Sequence, residues 1–149
     1  MRPKVIWVLV ADGARGRILE RKDATSSLLP MPGGEFHQEI HQARELGTDR
    51  PGRVQESASA AHHAISPRTD RSRVEKETFA RKLSDALEAA AQRGAFDKLI
   101  LIAPPRTLGD LHASLGRRSR ERLAGTLEKD LTALNPTEIE ARLKQAELL

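Results

Sequence analysis

The 149 residues suit one domain of ordinary size, and a chain this long buries enough surface to need no metal or disulfide staple. Cysteine is absent, which excludes disulfides, thiol catalysis and cysteine-based metal sites. One Trp, three Phe and no Tyr argue against a protein that stacks nucleic-acid bases on aromatic platforms.

Twenty-five Lys and Arg against 21 Asp and Glu give a net charge of +4, short of the dense basic character of a dedicated DNA-binding domain. The placement of the charge says more. Between Pro105 and Arg122, five arginines face two acids; between His41 and Arg73, six arginines face four acids. Both stretches are expected outside the core, where charge can meet a partner.

Lys4–Ala11 is a continuous apolar, β-branched run, the pattern of a strand buried on both faces. The apolar residues after Met1-Arg2-Pro3-Lys4 imitate a signal peptide. However, Asp12-Gly13-Ala14-Arg15 stands where a longer apolar core and a cleavage site belong. No run is long enough to span a membrane, and the expectation is a cytoplasmic protein.

Asp12-Gly13 predicts a tight hairpin with positive φ values, returning through Arg15–Lys22 as a second strand. Ser27–Met31 reads as a short third strand, broken by Pro32-Gly33-Gly34. Phe36, Ile40 and Ala43 give Glu35–Leu46 a helical pattern. From Gly47 to Asp70 no period holds, which predicts a long flexible loop.

Arg71–Arg93 is the clearest helix, with Val74, Phe79, Ala80, Leu83, Leu87 and Ala90 in one stripe. Glu77 and Arg81 are spaced to pair, and Gly94 to cap the C-terminus. Asp97–Ala103 is a second buried strand, expected parallel to the first because a helix precedes it. Thr107-x-x-Asp110 resembles a capping box before a short helix carrying Leu108, Leu111 and Leu115. Arg117–Arg122 continues as a charged turn or helix. Leu123–Leu131 reads as a last strand, with helix as the alternative. Asn135-Pro136-Thr137-Glu138 starts a final helix.

The predicted class is therefore α/β, a single domain around one mixed sheet in the order β-β-β-loop-α-β-α-β-α. That is the order of ribonuclease H-like folds, among other α+β arrangements.

Several stretches together are distinctive: WVLVADGARGRIL at 7–19, DRPGR at 49–53, FARKLSDAL at 79–87, FDKLILIAPPRTLGDLHASL at 96–115 and LEKDLT at 127–132. On these the chain resembles the bacterial host-attachment protein family, whose members are described as required for attachment to host cells. That family is similar in turn to the middle domain of eukaryotic and archaeal peptide-chain release factors, which implies a ribonuclease H-like sheet and a ribosomal or RNA partner. Release factors carry Gly-Gly-Gln on the loop before their main helix. Here the only Gly-Gly is Gly33-Gly34, followed by Glu35, so peptide release is not expected to carry over.

The foremost candidate site is Asp49-Arg50-Pro51-Gly52-Arg53, where a stiff turn would present the Arg50 and Arg53 guanidinium groups to phosphate or carboxylate oxygens. The bland explanation is a solvated loop. A second candidate is the strand-to-helix junction at Arg106 and Thr107, where free N–H groups and a helix dipole favour anions. Arg117 and Arg118 would extend a basic surface towards RNA phosphates, against the plainer reading of a solvated helix face.

His37 and His41 have the i,i+4 spacing of a zinc helix, but Gln38 takes the place of the catalytic glutamate, and no metal or other cofactor is expected. Asp12 with Glu75 or Glu77 would be the carboxylates of a metal-dependent nuclease, a lesser alternative because Asp12-Gly13 is already explained as a turn. Partners are thus expected to be RNA, the ribosome or an acidic protein surface, bound without catalysis.

Overall fold

The computed structural model describes residues 2–39 and 57–149, with side chains for 2–39 and 71–149. Strand β1 (Ile6–Ala11) is buried along its whole length and lies at the centre of a five-stranded sheet of order β3-β2-β1-β4-β5. It pairs antiparallel with β2 (Arg15–Arg21) and parallel with β4 (Lys98–Ile102). Strand β3 (Leu29–His37) forms one edge against β2, and β5 (Leu123–Leu127) forms the other, parallel to β4. The mixed α/β class is the one expected, and β4 is parallel to β1 because a helix carries the chain back between them.

Four helices are present among the described residues: α1 (Ser57–Gln92), α2 (Pro105–Ser114), α3 (Arg117–Arg122) and α4 (Pro136–Gln145). Strand alternation sorts the core onto two faces. Trp7, Leu9 and Ala11 join Leu99, Leu101 and Ala103 beneath α1 and α2; Val8 and Val10 join Ile100 and Ile102 beneath Ile139 and Leu143 of α4. Helix α1 supplies Phe79, Ala80, Leu83, Leu87, Ala90 and Ala91 at helical spacing, all buried. Ser84 of α1 and Ser114 of α2 share a hydrogen bond of 2.7 Å across the helix pair.

Several local expectations are corrected. Helix α1 begins at Ser57, so the expected loop keeps no more than its first part, and residues 47–56 lie outside the described ones. Alanines 58, 60, 61 and 64 favour helix by propensity, without the apolar period that reveals a packed helix. Val74 is 59% exposed and does not join the core stripe.

Pro32-Gly33-Gly34 does not end the third strand. Gly33 takes φ +76° and the register shifts between Arg17 and Leu19, so the segment bulges and β3 continues to His37. An edge strand tolerates the N–H groups that Pro30 and Pro32 lack. Glu35, Phe36 and His37 are therefore strand residues rather than a helix start.

The β1–β2 turn also differs, since Gly13 has no positive φ. Asp12 instead closes the turn by accepting the N–H of Ala14 at 2.9 Å and of Arg15 at 2.7 Å. A Cβ at position 13 would lie 3.2 Å from the Lys76 stem, so a side chain there would have to push that flexible stem slightly aside. Gly94 does cap α1, at φ +73°, with its N–H bonded to Ala91 and that of Ala95 to Ala90. Helix α4 starts where expected, with Asn135 as its N-cap, and Glu138 completes a capping box with it.

Candidate functional site

The carboxyl ends of β1 and β4 lie side by side, and β4 leads into α2 through Pro104 and Pro105. Pro104 is the N-cap with φ −60° and ψ 159°, and it has no side-chain acceptor to offer. The first-turn amides of Arg106 and Thr107 thus have no carbonyl one turn back within the helix. The Arg106 side chain is exposed and makes no hydrogen bond or ion pair among the described residues, while Thr107 is 9% exposed. The expected capping box at Thr107 does not form, because Pro105 starts the helix and Thr107 already lies inside its first turn. Asp110 turns to α1 instead, where it contacts Arg73. Arg73 also donates to Glu77 at 3.2 Å, so Glu77 pairs with Arg73 one turn before it rather than with Arg81.

Beside this junction a second set of groups ties the β1–β2 turn to the segment after β5. Arg15 donates to Asp12 at 3.0 Å and to the Thr132 hydroxyl at 3.3 Å. Thr132 in turn donates to Asp130 at 2.5 Å. Arg17 donates to the carbonyls of Thr132, at 3.4 Å, and of Leu134. Burial acts to raise the Asp12 carboxyl, but the N–H groups of Ala14 and Arg15 and the Arg15 guanidinium outweigh it and hold it below its usual range. Asp12 is therefore committed to the turn. Glu77 faces Arg73, and Glu75 lies 3.6 Å from Arg71. Among the described residues no three His, Cys, Asp or Glu are grouped to hold a metal ion.

Arg117 and Arg118 lie at the opposite end of the sheet. Helix α2 runs ten residues, about 15 Å, away from Arg106 before α3 begins, and β5 then starts opposite Leu99 at the beginning of β4. The structure thus separates Arg106 and Thr107 from Arg117 and Arg118 instead of gathering them. Arg117 is exposed and 3.6 Å from Glu121; the Arg118 side chain is exposed and makes no contact of this kind among the described residues. The other two arginines of α3 are structural. Arg120 donates to the carbonyls of Leu115 at 2.7 Å and His112 at 2.8 Å, closing the end of α2. Arg122 donates to Ala91 at the end of α1 and lies 5.9 Å from the Phe96 ring centroid.

Asp49, Arg50, Gly52 and Arg53 lie outside the described residues. His37 stands in a strand, so the helical zinc spacing does not apply to it; His41 lies outside the described residues, and His62 and His63 fall within α1. Sequence spacing alone missed the Arg15–Thr132, Arg73–Asp110 and Glu88–Ser119 contacts, since each joins residues far apart in the chain.

The charge is unevenly shared between the two layers. Residues 71–122, which carry the described side chains of α1 and all of α2 and α3, hold twelve Lys and Arg against seven Asp and Glu. Residues 123–149, with α4 on the other face, hold three against five. No helix among the described residues is long and apolar enough to cross a membrane.

No curated protein matches the chain. Among solved structures, an archaeal translation termination factor is similar at 13% identity and a TM-score of 0.45, over 97% of this chain and 40% of that one. The structure of an archaeal protein is similar at 15% identity and a TM-score of 0.48, over 97% of this chain and 34% of that one. The chain therefore spans well under two thirds of either. A family model described as protein required for attachment to host cells matches residues 7–143, nearly the whole chain, and the chain belongs to that family.

Proposed function

We propose that this host-attachment family chain is a non-catalytic binding module for RNA, alone or on the ribosome, and that the α1–α2–α3 layer is its contact surface. The observation that carries the reading is the charge split between the two layers: a net excess of five cations on the α1–α3 stretch against a net excess of two acids on the stretch bearing α4. A polyanion is attracted to the first and repelled by the second. Arg106 and Thr107 at the start of α2, and Arg117 and Arg118 in α3, are the phosphate contacts of this reading. Asp49, Arg50, Gly52 and Arg53, which precede α1 in the chain, complete the set. On this reading the protein works in the cytoplasm.

Binding of labelled single-stranded RNA, followed as salt is raised, tests it. The affinity is expected to fall linearly with the logarithm of salt concentration. R106A, R118A and R53A are each expected to lower that slope by about one. Absence of binding at low salt overturns the reading. Capture of a protein from lysate that survives ribonuclease treatment points to an acidic protein surface instead.

The family description favours a second reading, a contribution to attachment to host cells. Adhesion by a strain lacking the protein, together with fractionation of the native protein, tests that role. Recovery at the cell surface makes the role direct.

A further inference from the structure

At the start of α2 one carboxylate lies within reach of two arginines. Asp110 stands one turn beyond Arg106 on the same helix, the i,i+4 spacing at which side chains meet on a helix surface. Yet Asp110 is held by Arg73, which reaches across from α1 while its Nε donates to Glu77 at 3.2 Å. The side chains of Arg73 and Asp110 are only 24% and 16% exposed, so water screens this pair less than an ordinary surface ion pair. The basic-before-acidic order of Arg106 and Asp110 is the weaker orientation along a helix. Arg73 prevails, and Arg106 stays exposed without a partner among the described residues.

We propose that Arg73 is a positioning residue: by holding Asp110 it keeps the Arg106 guanidinium unpaired and open to a phosphate oxygen of a polyanion. The inference rests on the RNA-binding reading above. Arg73 itself is committed to two carboxylates and is not a phosphate contact. Once it is removed, Asp110 captures Arg106 and also repels the approaching phosphate. Binding weakens on both counts, and neutralising Asp110 reverses it.

Anisotropy of labelled oligouridine with the full chain tests this at fixed low salt. R106Q is expected to weaken binding about tenfold and R73Q about threefold or more, R73K to stay within about twofold of the native chain, and R73Q/D110N to return to that range. R73Q and R73Q/D110N both lack the bridge between α1 and α2. Equal weakness in these two variants therefore reveals a packing defect and overturns the proposal, as does native-like binding by R73Q.

A readout without ligand separates this proposal from the RNA reading. Exchange of the Arg106 Nε–H, followed by NMR, is expected to slow in R73Q and to recover in R73Q/D110N. Failure of the native chain to bind oligouridine overturns the RNA reading, whereas unchanged Arg106 exchange in R73Q overturns the role of Arg73.

Discussion

Glu88 of α1 caps a helix to which it does not belong: its carboxylate accepts the N–H of Ser119 at 3.0 Å, with the N–H of Arg118 at 3.3 Å and the Ser119 hydroxyl at 3.2 Å. Gly116, the N-cap of α3, has no side chain to do this, and a Cβ on it would strike the Glu88 carboxylate. The two positions depend on each other. E88A is expected to cost about 1–2 kcal/mol, the usual loss for a helix cap. G116A should cost a similar amount by pushing Glu88 aside, and the double variant little more than either single one. Urea melts of the three variants check this; additive losses would mean that Gly116 matters for another reason.

Acid should loosen the fold in part through three carboxylates that, like Asp12, accept backbone N–H groups. Glu88 is held below its usual range chiefly by the Ser119 N–H, Asp97 chiefly by the Val5 N–H with Arg2 beside it, and Glu140 chiefly by the Leu28 N–H with Lys144 beside it. Each therefore binds its proton more weakly folded than unfolded. Their stabilisation is complete above the ordinary values of 3.8 for Asp and 4.5 for Glu, and is lost as pH falls through the lower folded values. Urea midpoints should stay level from about pH 6 to about pH 5, fall from there down to about pH 3, and fall less in E88Q/D97N/E140Q. A triple variant with the native pH slope would place the acid response elsewhere.

The central elements were readable because each is announced by its own residues. Val5–Ala11 and Leu99–Ala103 are unbroken apolar runs, Gly94 follows the last buried turn of α1, and Asn135-Pro136 opens α4. The start of α1 was not readable, because periodicity registers helices that bury a face and residues 57–70 show no apolar stripe. Nor was the site's arrangement. Arg73 and Asp110 are separated by 37 positions and Arg15 and Thr132 by 117, so only the folded chain shows that one pair joins α1 to α2 and the other ties down the β1–β2 turn.

Pro67 lies within α1 and has no N–H, so the carbonyl one turn before it loses its helical donor. Replacing it with alanine restores that bond in a stretch already rich in alanine. An interior proline costs about 3 kcal/mol relative to alanine. P67A is therefore expected to slow amide exchange over residues 57–66 by up to about a hundredfold. Unchanged exchange there would mean that Pro67 does not limit this part of α1.

Two neighbouring arginines of α3 should behave in opposite ways. Arg122 donates to Ala91 and lies over Phe96, so it helps to close the end of α1 against the sheet. R122A is expected to cost about 1–3 kcal/mol in a denaturant melt, combining a charge-assisted hydrogen bond with a cation–π contact. Its salt slope for RNA should stay unchanged, because the guanidinium is already occupied within the fold. The Arg118 side chain is exposed without a partner among the described residues. R118A should therefore melt within about 0.5 kcal/mol of the native chain. Its salt slope should nevertheless fall by about one, the signature of a lost phosphate contact. If R118A binds RNA with the native slope, α3 is a solvated helix end, and the RNA surface narrows to the region around Arg106.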